Sequence, residues 1–182
     1  MKLLLHVCCG PCLAAFDEYF KENKIKYSGY FYNPNIHPYM ENIRRMKTFR
    51  EYAAGLNLEV IIDPQFDQST WENELKLLTA AERCAYCYKR RIESCAKTAG
   101  EKGFTHFTTT LLISPYQDHD MIIETGKLAE EKFGVKFYYN DFRTLYRHGQ
   151  DIAGEAGIYR QKYCGCIYSY NDSKFRDKIK WD

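Results

Sequence analysis

Residues 3–7 form an apolar run interrupted only by His6, the pattern of a strand buried on both faces of a parallel sheet. Gly10-Pro11 turns the chain, and Leu13, Phe16 and Phe20 then recur at helical spacing, with Pro11 suited to the first helical turn. A second strand is predicted over 27–32, ended by Asn33-Pro34-Asn35. A helix over about 41–56 leads to an apolar strand at 58–62, closed by Asp63-Pro64. Two helical stretches follow, near 70–79 and 82–99, and Gly103 ends the second before a strand at 104–109. An amphipathic helix at 118–133, a fifth strand at 135–139 and a helical or irregular tail from Tyr146 complete the pattern. Strands alternating with helices at these spacings imply an α/β fold, a doubly wound and mostly parallel sheet with a helical C-terminal tail. Neither linker, repeat nor low-complexity segment interrupts it, so one domain is expected over 1–182.

Composition narrows the class. With 45% apolar and 27% charged residues, disorder is excluded. No run of about 18 apolar residues exists to span a membrane. The apolar start is too short for a signal peptide, is broken by His6, and lacks a small-residue cleavage site, so a cytoplasmic protein is expected. A net charge of +2 excludes a strongly polybasic chain; nucleic-acid binding would have to come from a local patch.

The 8 cysteines change the picture most. In a secreted chain they would imply disulfides, whereas here metal binding or thiol redox chemistry is the better expectation. They fall at Cys8, Cys9 and Cys12, at Cys84 and Cys87, at Cys95, and at Cys164 and Cys166. The first group follows strand one at its carboxyl end, where open α/β sheets place ligands. Cys84-Ala85-Tyr86-Cys87 is a C-x-x-C expected at the start of a helix, whose N-terminus would favour negative sulfur. Four thiolates hold either zinc or an iron–sulfur cluster, and more thiols than one such site needs favour redox chemistry. Cys95 lies about 16 Å along the helix axis from Cys84 and reads as a buried core thiol. Cys12 reads as a ligand, a redox thiol or a packing residue. Cys9-Gly10-Pro11-Cys12 also matches the thioredoxin motif, a rival that leaves the other pairs unexplained.

Five segments taken in order resemble the QueH family of epoxyqueuosine reductases: Leu5-His6-Val7-Cys8-Cys9-Gly10-Pro11-Cys12, Tyr32-Asn33-Pro34-Asn35-Ile36-His37-Pro38, Arg83-Cys84-Ala85-Tyr86-Cys87, TTTLLISPYQ at 108–117 and YRQKYCGC at 159–166. The resemblance implies a HUP/Rossmann-like fold and reduction of epoxyqueuosine to queuosine at the wobble base of tRNA. It further implies a 4Fe–4S cluster and no cobalamin. By position the family's cluster cysteines fall on Cys8, Cys9, Cys84 and Cys87. Its C-x-C falls on Cys164 and Cys166, as a redox-active pair or as ligands of a second, mononuclear iron.

Deoxygenating an epoxide to an alkene takes two electrons and two protons and releases water, whereas a 4Fe–4S cluster ordinarily passes one electron at a time. A second redox element is therefore expected beside it, along with an external electron donor. A disulfide spanning one residue would be strained and easily reduced, and a second iron would act as a Lewis acid on the epoxide oxygen. Proton donors are sought among Tyr116, Asp118, His119 and Asp120, although Asp118 equally suits a helix cap. His6 reads as a core histidine and His37 as a better site candidate. Candidate tRNA contacts are Arg44, Arg45, Lys47 and Arg50, then Lys89, Arg90 and Arg91, then Arg143, Arg147, Arg160 and Lys162, with tyrosines stacking on an extruded base. The first loop is not a glycine- and serine-rich phosphate cradle, so ATP dependence is not expected.

Overall fold

The computed structural model describes residues 1–180; Trp181 and Asp182, which close the domain expected over 1–182, lie outside the described residues. Five strands, β1 (Leu3–His6), β2 (Tyr27–Tyr32), β3 (Val60–Asp63), β4 (His106–Thr109) and β5 (Lys136–Phe137), form one sheet in the order β3-β2-β1-β4-β5. All four pairings are parallel. Helices α1 (Gly10–Glu22), α2 (Tyr39–Gly55), α3 (Gln68–Asn73), α4 (Ala80–Glu101), α5 (His119–Phe133), α6 (Tyr146–Glu155) and α7 (Ile167–Asn171) connect and flank it. Leu3, Leu4 and Leu5 are wholly buried, as a central strand covered on both faces requires. The chain reverses its direction of winding between β1 and β4, and the loops leaving their carboxyl ends open the crevice where such folds bind ligands.

Three boundaries differ from the sequence expectation, each for a local reason. β3 starts two residues late because Leu58 still closes α2: its N–H bonds to the Ala53 carbonyl at 3.0 Å while Asn57, at φ 53°, bonds to Ala54 at 3.1 Å. That is a helix stop with asparagine in the left-handed position. The helix expected over 70–79 breaks after Asn73, because Thr79 is extended and caps α4. Its hydroxyl accepts from the Glu82 N–H at 3.3 Å, and Glu82 accepts from the Thr79 N–H at 2.7 Å. The fifth strand shortens to two residues at the sheet edge, although Tyr138 still donates to the Phe107 carbonyl at 2.8 Å.

The tail from Tyr146 packs back onto the sheet's carboxyl end. Gly149 of α6 sits so close to α1 that a Cβ there would lie 2.8 Å from Ala15 and 3.0 Å from the Pro11 carbonyl. Glycine is what lets α6 cover the first cysteine loop. Among the described residues no helix is long and apolar enough to cross a membrane.

Candidate active site

β1 ends at His6, a buried ring bonded to Thr109 Oγ1 at 2.9 Å and the Tyr32 carbonyl at 3.2 Å. Burial pulls its pKa down to about 4, so it is a neutral brace between three strand ends. Three residues on, Cys9 caps α1 in an extended conformation and Cys12 lies in the first helical turn. The turn brings three sulfurs together: Cys8 to Cys9 at 3.7 Å, Cys8 to Cys12 at 3.9 Å and Cys9 to Cys12 at 2.9 Å. Thiolates on one tetrahedral ion stand about 3.8 Å apart, given metal–sulfur bonds of about 2.3 Å. Cys8, Cys9 and Cys12 thus form a group able to hold a metal ion. Hydrogen bonds from Cys12 and then Cys9 hold the Cys8 thiol well below its usual range despite burial, and Thr110 adds a third. Cys12 is pushed up chiefly by that same bond, Cys9 chiefly by burial.

The second group lies on α4 and the tail. Cys84, Cys87, Cys164 and Cys166 line a cavity of about 180 Å³ with Asn35, Trp71 and Tyr168. The expected helix-terminus effect on Cys84 and Cys87 does not operate. The Thr79–Glu82 cap starts α4 at Ala80, so both thiols lie at least one turn inside it, beyond the free N–H groups. Burial instead raises Cys84 and Cys164 and pushes Cys87 up to about 12.

A larger cavity of about 290 Å³ adjoins the first group, lined by Cys8, Cys12, Tyr116, Tyr146, Gln161 and Lys162 among others. Arg91, Gln117 and Cys164 line both cavities, which therefore adjoin at these residues. Gln117 Nε2 donates to Cys164 Sγ at 3.4 Å, and Gln161 Nε2 to Cys9 Sγ at 3.2 Å.

The C-x-C segment is held by its backbone. Arg45 donates to the Tyr163 carbonyl at 3.0 Å and the Cys164 carbonyl at 2.9 Å. The His37 N–H donates to the Gly165 carbonyl at 2.8 Å, and His37 Nδ1 accepts from the Ile167 N–H at 3.1 Å. Gly165 has φ 153°, a conformation that favours glycine, and a Cβ there would meet Asn35 Nδ2 and Ile36 at 3.3 Å.

Several expected site residues are placed otherwise. Arg45 is no surface phosphate contact: it is 1% exposed and paired with wholly buried Glu41 at 2.7 Å. Arg91 is likewise 2% exposed, where the two cavities adjoin. Arg90 is tied to Asp67 at 3.2 Å and to the Tyr86 and Tyr32 hydroxyls. Arg44 lies over the Tyr159 ring and donates to the Lys180 carbonyl. Lys47, Arg50, Arg160 and Lys162 are exposed, and of these four Lys162 alone lines the larger cavity. Asp118 caps α5 through the Met121 N–H at 3.0 Å, and neither it, His119 nor Asp120 lines either cysteine cavity. Of the four proton-donor candidates Tyr116 alone reaches the cavity, 80% exposed and edge-on to Tyr146 at 5.7 Å. His37 is buried as a clamp rather than a site group, and Cys95 is a buried core thiol near the Leu4 and Thr108 carbonyls. The thioredoxin reading fails on geometry, since Cys9 and Cys12 are both buried and both thiols are raised. Sequence reasoning passed over Asn35, Gln117 and Gln161, though each lies inside one of the five quoted segments.

A family model described as Epoxyqueuosine reductase QueH matches residues 3–172. A Dehalococcoides mccartyi protein named epoxyqueuosine reductase QueH is 35% identical over 168 residues, spanning 92% of each chain. A Thermotoga maritima protein of the same name is 35% identical over 179 residues, spanning 92% of this chain and 89% of its own. Among solved structures, a predicted tRNA methyltransferase subunit from Methanocaldococcus jannaschii superposes with a TM-score of 0.52 at 13% identity, over 84% of this chain and 75% of that one. This last likeness is one of fold.

Proposed function

Since the chain belongs to the QueH family of epoxyqueuosine reductases, oxidoreductases that act on tRNA in the last step of queuosine biosynthesis, we propose that its two cysteine groups work as one redox site. A 4Fe–4S cluster on Cys8, Cys9, Cys84 and Cys87 would supply electrons one at a time. The donor set fits such a group, because soft thiolates select it and the buried Nη2 of Arg91 lacks any partner among the described residues. The observation that carries the reading is the shared lining. Arg91, Gln117 and Cys164 line both the cavity with Cys8 and Cys12 and the cavity with Cys84 and Cys87, so the two cysteine groups adjoin.

The larger cavity is the place for the modified base. Tyr116 and Tyr146 at its wall offer ring faces for stacking, and Lys162 offers a cation for the adjoining phosphate. Conversion of the epoxide to an alkene consumes two electrons and two protons and releases water. The Tyr116 hydroxyl is the proton donor nearest solvent. Cys164 and Cys166 supply the second redox element, either by passing between dithiol and disulfide or by holding a second iron.

Cys166→Ser tests this pair. Anaerobic protein carrying it should keep its iron and acid-labile sulfide yet lose reduction of epoxyqueuosine in tRNA by more than about 100-fold, beyond the 10–100-fold typical of outer-shell changes. Loss of one iron beyond the cluster's four assigns the pair to a second metal. Full activity in Cys164→Ser and Cys166→Ser would leave both as structural thiols.

The tRNA rim gives a second test. Arg160→Ala with Lys162→Ala should weaken binding and lower the salt slope by about 1 per lost phosphate contact. An unchanged slope makes both merely solvated.

A further inference from the structure

Three side-chain atoms facing the smaller cavity are buried without partners: Nδ2 and Oδ1 of Asn35, and Nη2 of Arg91. The two residues are 1% and 2% exposed. Arg91 makes one hydrogen bond, Nε to the Cys87 carbonyl at 3.2 Å, and pairs with no carboxylate among the described residues. An unmatched buried donor costs about 1–3 kcal/mol, and more when charged. Two unmatched donors on one cavity wall, Asn35 Nδ2 and Arg91 Nη2, therefore mark a missing acceptor of negative character. The candidates within reach are sulfurs, since Cys84, Cys87, Cys164 and Cys166 line the same wall.

We propose that Asn35 and Arg91 are positioning residues that donate hydrogen bonds to the sulfurs of the metal group held here, and that they set its reduction potential without ligating it. This rests on the iron–sulfur reading above. Asn35 is built for the task. It abuts the C-x-C turn, its Nδ2 standing 3.3 Å from where a Gly165 Cβ would be, and an amide turning Nδ2 to a sulfur leaves Oδ1 for a water. Reduction adds negative charge to the sulfurs, so hydrogen-bond donors and a fixed guanidinium favour the reduced state and raise the potential. The same guanidinium faces the larger cavity, so it holds the substrate side and the metal side at one electrostatic level.

The test uses anaerobic, metal-loaded full-length protein with Arg91→Gln, Arg91→Lys and Asn35→Leu. Iron and acid-labile sulfide are counted per chain, and the midpoint potential is titrated by electron paramagnetic resonance. With iron content unchanged, Arg91→Gln should move the potential negative by at least tenfold in the reduction equilibrium, about 59 mV for one electron. Asn35→Leu should move it less in the same direction, and Arg91→Lys should recover part of the shift. Should Arg91→Gln fail to load, the other two variants carry the test. Wild-type potentials in loaded variants overturn the proposal. Wild-type protein without acid-labile sulfide overturns the cluster reading itself, which the metal count tells apart.

Discussion

Cys84→Ala will leave the protein without its metal group and, on the same evidence, without activity. Anaerobic wild-type protein should be brown, with a sulfur-to-iron charge-transfer band and acid-labile sulfide, and the variant should lose both. Removing outer partners of a metal site costs about 10–100-fold, so removing a ligand should exceed 100-fold in turnover. The expectation is sharpened by where Cys84 sits. It lines the smaller cavity from α4, caps nothing and, among the described residues, accepts no hydrogen bond from the backbone, so its loss should not disturb the fold. Thermal unfolding of the metal-free variant and metal-free wild type should therefore coincide. Cys12→Ala adds a contrast. Cys12 stands outside the four proposed cluster ligands, so the variant should keep its iron and acid-labile sulfide, and loss of both would make Cys12 a ligand. Zinc alone in wild-type protein, with no acid-labile sulfide, would return the cysteines to a structural four-thiolate module.

Arg45→Ala should be the most destabilising single change away from the thiols. It strands Glu41, which is wholly buried and keeps only the Tyr159 hydroxyl at 2.8 Å. Breaking a buried pair from one side costs about 3–5 kcal/mol, a large part of the 5–15 kcal/mol that holds a typical domain. At about 2–4 °C per kcal/mol, the melting temperature should fall on the order of 10 °C. The Tyr163 and Cys164 carbonyls lose their donor as well, so limited proteolysis should begin in residues 159–166. Replacing both partners, Glu41→Leu with Arg45→Met, should recover much of the loss, because no charge is then left unpaired. A melting temperature like that of wild type, together with a flattened salt dependence of tRNA binding, would return Arg45 to the nucleic-acid surface.

That reversal of Arg45 shows where sequence stops being legible. The strands and helices were readable because periodicity reports burial directly: 3–7 and 27–32 fall on β1 and β2, and 118–133 on α5 with its Asp118 cap. The cysteine groups were readable as candidates because thiols cluster in sequence near the ends of elements. Charge was not. Arg44 and Arg45 are neighbours in a basic run, yet one lies half-open over Tyr159 and the other is sealed under the C-x-C segment. The partners that decide this, Glu41 one turn away and carbonyls 118–119 residues along, include tertiary contacts that no local pattern contains. Arg91 is the same case on α4. The start of α4 was misjudged for a smaller reason, since Thr79 and Glu82, three residues apart, carry a capping signature that begins five residues before Cys84 and outranks the thiols as a boundary.

The anchoring of the C-x-C segment through carbonyls has a consequence for electron traffic. Fixed bonds run from Arg45 and His37 to the main chain at Tyr163, Cys164 and Gly165, whereas among the described residues the two sulfurs hydrogen-bond only with Gln117 and Ser169, at 3.4 and 3.6 Å. The frame is thus indifferent to what the sulfurs carry. A thiol, a thiolate or a serine hydroxyl can occupy the same two positions while the main chain of the loop keeps its course. If the pair carries electrons as proposed above, these main-chain anchors would let it do so without unfastening the C-terminal tail from the rest of the fold.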